Sequence, residues 1–167
     1  MFERVILGVD PGIAVTGLAV VSEAARRPSV AWAGTVRTPS GRREGARLRA
    51  IFDALRDALA LHRPEAVALE RLLWGKNVGS AMAVARASGV VLLAAEQAGV
   101  PLTEYAPLEV KMAVTGSGSA SKEQIRTALT RLHAMEGVPS DPDAADAVAV
   151  AVCHLTRSRL DRVVSRA

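Results

Sequence analysis

Four acidic residues lie where they could act together: Asp10, Glu70, Asp143 and Asp146. Asp10 follows the apolar run 5–9 and Glu70 follows the apolar run 66–69, and both runs are typical of buried strands. If these strands are parallel neighbours, both carboxylates emerge at one edge of the sheet, where open α/β sheets place their sites. Asp143 and Asp146 fall on one face of a predicted helix, with Cβ atoms about 5–6 Å apart.

Such a set of carboxylates predicts a site for a hard cation, because Mg²⁺ and Mn²⁺ prefer oxygen ligands. Two such ions about 3.5–4 Å apart can clamp the attacking and leaving oxygens of a phosphodiester. Asp146 lies in an Ala/Val run that we expect to be buried, so a cation should lie beside it. The alternative is a set of unrelated surface acids, in which Asp10 only opens the turn at Pro11-Gly12.

Lysine is rare in this chain. Only three of the 21 basic residues are lysines, at Lys76, Lys111 and Lys122, and the excess of arginine is most simply an effect of codon composition. Ser121 and Gln124 match a capping box, which places Lys122 in the first turn of a helix, where a cation is unfavourable. We therefore expect a role for Lys122 other than helix stability, the alternative for Lys111 and Lys122 being solvated loop lysines.

Hydrophobic periodicity and turn residues give the elements that position these side chains. The predicted strands are 5–9, 16–21, 29–38, 66–69 and 101–105, and the predicted helices are 44–62, 80–98, 107–114, 122–133 and a last one from 140–143 onward. Three antiparallel strands followed by two strands entered through helices predict a mixed five-stranded α/β sheet flanked by helices. We expect one domain over residues 1–167, with 157–167 forming either ordered helix or a basic tail.

The overall composition favours a soluble protein with a polyanionic partner. The net charge is +4 and the isoelectric point about 10, which is a modest signal for nucleic acid. No apolar run is long enough to span a bilayer, the N-terminus lacks a secretory pattern, and Cys153 is the single cysteine. These features predict a cytoplasmic protein without a disulfide or a cysteine-based zinc site.

The predicted helix 80–98 consists almost wholly of small residues, with several alanines, Ser88 and Gly89. Small side chains allow another backbone to approach closely. This helix is therefore either the central helix packed on the sheet or a contact between two subunits.

Motifs in order along nearly the whole chain resemble the RuvC family of bacterial Holliday-junction resolvases. They are Gly8-Val9-Asp10-Pro11-Gly12 with Thr16-Gly17, Leu69-Glu70, Lys76-Asn77, Glu104-Tyr105-Ala106 with Val110-Lys111, Gly116-x-Gly118-Ser119-Ala120-x-Lys122, and Asp143-Ala144-Ala145-Asp146-Ala147. The order and the intervals make the resemblance far more specific than any single motif.

The resemblance implies a ribonuclease-H-like fold, a homodimer, and Mg²⁺-dependent cuts placed symmetrically across a four-way DNA junction. The family's catalytic carboxylates fall on Asp10, Glu70, Asp143 and Asp146, and its basic active-site residues fall on Lys111 and Lys122. We expect two ions per subunit, with Mn²⁺ as a substitute. The branch-migration proteins RuvA and RuvB are the implied partners, and the helix 80–98 is our candidate dimer interface.

One position departs from the family. Members often carry an aromatic residue three places after the strand-end Glu, where this chain has Leu73, with Trp74 beside it. We expect Trp74, with Leu73, to take the stacking role, which is worth about 1–3 kcal/mol per base; the alternative is a Trp packed on the surface. Lys76, Asn77, Lys111 and Lys122 complete the expected DNA contacts. Unchanged junction binding and cleavage in Trp74→Ala would contradict this hypothesis.

Three other functions compete with this interpretation. They are a related nuclease that cuts RNA or branched flaps, a junction-binding module with vestigial carboxylates, and a kinase-like ATPase half-domain. Retention of all four acids and both lysines argues against a binding module, and the chain is too short for the two lobes of such an ATPase. The loop Gly116-Ser117-Gly118-Ser119 lacks the Gly-Lys-Ser/Thr ending of a nucleotide P-loop.

Overall fold

A computed structural model describes residues 4–71 and 78–164 of the 167-residue chain. In that part the strands are β1 (Arg4–Asp10), β2 (Val15–Ala24), β3 (Arg27–Arg37), β4 (Ala66–Glu70) and β5 (Leu102–Tyr105). The helices are α1 (Glu44–His62), α2 (Val78–Gln97), α3 (Pro107–Thr115), α4 (Lys122–Arg131) and α5 (Pro142–Val164). Each predicted element is present in the predicted order, with ends that differ by a few residues.

The strands form one sheet in the order β3-β2-β1-β4-β5. β1 pairs with β2 and β2 pairs with β3 in antiparallel fashion, so the first three strands form the expected meander. β4 runs parallel to β1, and β5 runs parallel to β4. The predicted mixed sheet is confirmed, and the two strands that end in acidic residues are neighbours at its centre.

Helices cover both faces of the sheet, because successive residues of each strand point to opposite sides. On one face, Leu7 and Val9 of β1 pack in a cluster with residues of α1 and α2, including Ile51 and Val91. On the other face, Ile6 belongs to a cluster built from α3, α4 and α5, including Val110, Leu129 and Val148. The result is a three-layer α/β/α arrangement in which α5 lies directly against the central strands.

Glycines in the sheet allow α5 to approach the strands very closely. A Cβ atom added to Gly8 of β1 would lie 2.1 Å from the carbonyl oxygen of Ala147, and one added to Gly17 of β2 would lie 2.0 Å from that of Asp143. Neither distance is possible for a real side chain, so only glycine permits this contact. The first turns of α5 are thereby held against the end of β1.

Of the last two helices, α4 ends earlier than predicted, and α5 decides between two alternatives that the sequence left open. α4 stops at Arg131, two residues before the expected end at 133. α5 continues to Val164, so residues 157–164 are helical rather than a free tail.

No helix in the described ranges 4–71 and 78–164 is long and apolar enough to cross a membrane. The assignment of residues 1–167 to one domain stays a prediction.

The turn between β2 and β3 explains why both strands are longer than expected. Ala25 and Arg26 form this turn with φ angles of 50° and 67°. Two-residue hairpin turns favour such left-handed conformations, which are usually supplied by Gly, Asn or Asp. Because neither residue is of that type, the sequence carries no turn signal here.

Candidate active site

β1 and β4 bring Asp10 and Glu70 side by side. The parallel register pairs Val9 with Leu69, so the next residue of each strand follows at the same edge of the sheet. The two carboxyl groups hydrogen-bond each other. The expected meeting of two strand-end acids is therefore present.

The first turns of α5 add two more acids to this edge. Asp141 caps the helix, with its Oδ1 accepting the backbone N–H of Asp143 at 3.0 Å and of Ala144 at 3.2 Å. The helix therefore begins with an Asp cap, followed by Pro142 in its first turn. Carboxylate oxygens of Asp10, Asp143 and Asp146 all lie within 4.8 Å of one another. Acids far apart in the sequence therefore converge at one point of the fold.

The electrostatics of this cluster are unfavourable for ionised carboxylates. Burial, followed by the charges of Glu70 and Asp146, raises the pKa of Asp10 to about 8. Burial is also the main reason that the pKa of Glu70 lies above its ordinary value. Without a cation, the Asp10–Glu70 pair therefore keeps a proton at neutral pH, and a bound cation would relieve the repulsion.

Lys122 supplies the cation that the sequence predicts beside Asp146. Its Nζ lies 2.5 Å from Oδ2 of Asp146. The hydrogen bond to Asp146 raises the pKa of Lys122, so its ammonium group stays charged. Because a lysine already serves as this counter-ion, the burial of Asp146 alone does not require a metal, and the case for a metal rests on the convergence of the acids.

Lys111 lies close enough to Glu70 for its charge to act on that carboxyl group. It lies on α3 with a half-buried side chain, and its positive charge lowers the pKa of Glu70, against the dominant effect of burial. Of the two predicted basic residues, Lys122 is therefore bound to Asp146, and Lys111 is within electrostatic range of Glu70.

The donor set fits a hard divalent cation. Asp10, Asp143 and Asp146 can each offer a carboxylate oxygen to one ion. Glu70 lies outside that set of three, but its contact with Asp10 places it beside the same site. The excess of negative charge and the raised pKa of Asp10 are what a cation would compensate.

Sequence reasoning missed a group of residues at the end of β3. These residues contact the loop after Asp10 and the start of α5, which carry acids of the site. Arg37 pairs with Asp141, and Thr38 contacts the loop that follows Asp10. The arginine-rich run 42–49 predicts a solvated helix face or contacts with DNA, but Arg47 of α1 makes a different contact. Its Nε donates to Thr38 Oγ1 at 2.9 Å and its Nη2 donates to the Thr38 carbonyl at 3.2 Å.

Four expected DNA-contacting residues, Leu73, Trp74, Lys76 and Asn77, lie outside the described residues. Arg71, the last described residue before them, donates its backbone N–H to the carbonyl of Tyr105 at 2.8 Å. Arg71 therefore lies at the acidic edge, immediately after Glu70. The predicted role of the four residues stays a prediction.

The sheet order and the acidic edge together define the class of this protein. It has a ribonuclease-H-like fold with a carboxylate cluster at the ends of its two central parallel strands. The family model described as "Crossover junction endodeoxyribonuclease RuvC" matches residues 6–154. The chain belongs to the RuvC family.

Curated relatives and solved structures agree with this assignment. RuvC of Pelotomaculum thermopropionicum is 43% identical over 149 residues, which cover 89% of this chain and 91% of that protein. RuvC of Rhodococcus jostii is 44% identical over 163 residues, which cover 97% of this chain and 86% of that protein. The structure of Thermus thermophilus RuvC in complex with a Holliday junction substrate matches with a TM-score of 0.88 and 33% identity, covering 95% of this chain and 96% of that one.

A more distant similarity extends the fold beyond bacteria. The yeast mitochondrial Holliday junction resolvase Ydc2 matches with a TM-score of 0.69 at 13% identity, covering 94% of this chain and 82% of that one. At this identity the similarity shows the fold alone.

Proposed function

We propose that this protein is a structure-selective endonuclease that resolves four-way (Holliday) DNA junctions by paired symmetric nicks, in recombination and repair. The observation that carries the proposal is the convergence of Asp10, Asp143 and Asp146 within 4.8 Å in a member of the RuvC family. Phosphodiester hydrolysis at a carboxylate site with divalent cations is the chemistry that such a cluster serves.

In this proposal Asp10, Glu70, Asp143 and Asp146 hold two Mg²⁺ ions per subunit, with Mn²⁺ as a substitute. When bound, the ions would activate the attacking water and neutralise charge on the phosphate. Because a metal ligand must be ionised, cation binding would release the proton that the Asp10–Glu70 pair keeps at neutral pH. These side chains stand on two stiff strands and a helix held close to them, so they can keep their positions through the reaction.

Lys122 and Lys111 would act on the scissile phosphate. The ammonium group of Lys122 is bound to Asp146, at the edge of the acidic cluster, and is fully charged at neutral pH. A phosphate oxygen that approaches the cluster would meet this positive charge, which stabilises the charge that develops during cleavage.

Substitution of Lys122 with Met should lower the cleavage rate about 10²-fold, because it removes a charge placed at the reacting phosphate. Junction affinity without metal should change little, since one exposed charge is a small part of a phosphate-tracking surface. Arg126→Gln, on the exposed surface of the same helix, is the matched control and should cleave normally. Equal losses of rate and affinity in Lys122→Met would reduce Lys122 to an anchoring charge.

DNA contacts beyond the reacting phosphate are proposed for the segment that follows β4. Trp74, with Leu73, would stack on a junction base, and Lys76 and Asn77 would contact the backbone. The exposed arginines of the run 42–49 would follow the junction arms, so affinity should fall steeply with added salt. Arg47 is excluded from this surface role, since it is bound to Thr38.

A homodimer through α2 is proposed because a junction needs two coordinated nicks, whereas the described part of the chain holds one acidic cluster. α2 buries Ala87 and Val91 against the sheet but leaves Met82, Leu92 and Leu93 between 44% and 52% exposed. Ala85 and Gly89 lie between them on the exposed side. A two-fold axis would place this apolar face against its own copy.

Leu93→Glu should weaken the dimer about 100-fold, because an unpaired carboxylate buried in an interface costs about 3 kcal/mol. Sedimentation velocity over a concentration series measures the change. Leu61→Glu places the same charge on α1, where Leu61 is 76% exposed, and should leave the dimer intact. A Leu93→Glu variant that stays dimeric at the same concentrations would exclude this face as the interface.

The cellular setting is proposed from the family. RuvA and RuvB would supply junctions, and the cytoplasm is the compartment in which a bacterial DNA-processing enzyme meets its substrate. The whole chain would act as a single nuclease domain, since helices on both faces share one sheet.

One assay tests the proposed function against its rivals. Purified protein with Mg²⁺, and separately with Mn²⁺, is given a synthetic four-way junction, a linear duplex of the same sequence, a branched flap, an RNA–DNA hybrid and ATP. We expect paired nicks at symmetric positions of the junction and little or no turnover of the other substrates. Junction binding without nicks would favour a binding module, preference for the hybrid or the flap would favour another nuclease, and ATP hydrolysis would favour a kinase-like activity.

A further inference from the structure

The end of β3 contacts two of the three segments that carry the acids of the site. Arg37 is the last residue of β3, and Thr38 follows it. On one side lies the loop after Asp10, and on the other lies the start of α5, which carries Asp143 and Asp146. We call these two residues the Arg37–Thr38 clamp.

Thr38 holds the loop after Asp10. Its backbone N–H donates to the carbonyl of Ala14 at 2.9 Å, and its hydroxyl donates to the carbonyl of Ile13. Thr38 is only 6% exposed, and Arg47 of α1 donates to both its hydroxyl and its carbonyl. The loop is also closed internally, since the Thr16 hydroxyl donates to the carbonyl of Gly12 at 2.6 Å.

Arg37 holds the start of α5. Its Nη2 donates to Oδ2 of Asp141 at 2.8 Å. The other oxygen of the same carboxylate, Oδ1, accepts the backbone N–H groups of Asp143 and Ala144. One carboxylate therefore joins the end of β3 to the turn of helix that bears Asp143.

We propose that the Arg37–Thr38 clamp sets the position of Asp10 relative to Asp143 and Asp146, and so determines how tightly the cluster binds a divalent cation. The inference rests on the proposed function, since it assigns a positioning role to residues that do not themselves contact the metal or the reacting atoms. Hydrogen bonds that orient ligands from outside the site commonly change metal affinity about 10–100-fold when removed.

The exposure of the Arg37 and Asp141 side chains distinguishes a positioning role from a role in folding stability. The side chains of Arg37 and Asp141 are 60% and 36% exposed, and ion pairs of that kind add little to folding stability. Removing the Arg37 charge should therefore leave the fold nearly unchanged while it frees the capping carboxylate to rotate. Because Arg37 is exposed, a direct contact with DNA is the competing role, and the test must distinguish it.

The test uses the full chain in three variants. Arg37→Gln removes the ion pair, Thr38→Val removes the hydroxyl at nearly constant volume, and Thr38→Ser keeps the hydroxyl. Arg27→Gln is the matched control, since Arg27 is an exposed residue at the opposite end of the same strand, about 30 Å away. Mn²⁺ binding to the protein without DNA is measured from the electron paramagnetic resonance signal of the free ion. Junction affinity in EDTA, the cleavage rate as a function of Mg²⁺ concentration, and Tm are measured alongside.

We expect the Mn²⁺ dissociation constant to rise at least about fivefold in Arg37→Gln and Thr38→Val. The Mg²⁺ concentration for half-maximal cleavage should rise in parallel. Thr38→Ser and Arg27→Gln should match the parent protein, and junction affinity in EDTA should be unchanged in all variants. If Thr38→Val fails to fold, the comparison of Arg37→Gln with Arg27→Gln still decides the question.

Two results would overturn the proposal. Parental Mn²⁺ affinity in Arg37→Gln would show that the clamp does not position the acids. A loss of junction affinity in EDTA as large as the loss of cleavage would make Arg37 a DNA contact instead. Failure of the proposed function itself looks different, because the parent protein would then neither bind Mn²⁺ at this site nor cut junctions.

Discussion

Replacing Asp10 with Asn is expected to lower the rate of junction cleavage about 10³-fold or more, because an amide cannot supply the negative charge that holds the catalytic cations. Junction binding in EDTA should be at least as tight as in the parent protein, since the change removes a negative charge from a site that receives a phosphate. Single-turnover cleavage and equilibrium binding measure the two effects separately. Asp57→Asn, an exposed position on α1, is the control and should change neither.

The same substitution should change how stability depends on pH. The pKa of Asp10 is raised from 3.8 to about 8 in the folded protein. The folded state therefore holds a proton that the unfolded state loses first, so this group stabilises the metal-free fold at low pH. Its contribution is lost as pH rises between those two values. Asn cannot ionise, so the stability of Asp10→Asn should not fall with this group as pH rises. The variant should therefore be more stable than the parent protein at pH 8, and its stability should be similar to that of the parent near pH 4.

Denaturant unfolding in EDTA at several pH values would measure this difference. An equal pH dependence in Asp10→Asn and the parent protein would contradict the assigned electrostatics. Full cleavage activity in Asp10→Asn would contradict the metal site itself.

Gly17→Ala is expected to damage the site although residue 17 carries no functional group. The added Cβ would lie 2.0 Å from the carbonyl oxygen of Asp143, so α5 must move away from the sheet. A shift of about 1 Å in a catalytic group can cost 10²-fold in rate, and we expect a loss of about that size. Forcing a methyl group into this packed contact should also cost about 1–3 kcal/mol of unfolding free energy.

Gly45→Ala is the matched control for this prediction. Gly45 lies in the first turn of α1, and nothing lies within 4 Å of a Cβ atom added there. The same change should therefore leave cleavage unaltered and stabilise the protein by about 0.5–1 kcal/mol. Near-parental cleavage by Gly17→Ala would mean that the position of α5 does not control the reaction.

Much of this fold could be predicted because its signals are local. The span of α1 follows from its apolar periodicity, and the start of α4 from the capping box of Ser121 and Gln124, both of whose bonds are present. The strand-end acids could be paired because parallel neighbours bring their carboxyl ends to one edge of the sheet. Local sequence patterns were therefore sufficient to predict these elements.

Features that depend on contacts between distant residues could not be predicted. Nothing in the residue type of Thr38 signals that its hydroxyl meets Ile13 and Arg47. The Asp146 carboxylate was expected to need a cation, but only the folded chain shows that Lys122 supplies one. The turn at Ala25 and Arg26 was not predicted, because the strand pairing, rather than residue preference, imposes its backbone conformation.

That turn offers an attachment site for single-molecule experiments. From the level of Asp10, which pairs with Gly17, β2 runs on to Ala24, about 20 Å along the strand. Residues 24–27 are all exposed, and tight tips of this sort tolerate inserted sequence. A dye or a surface tether could be attached there, so that a resolving complex is watched from the end of the molecule that faces away from its chemistry.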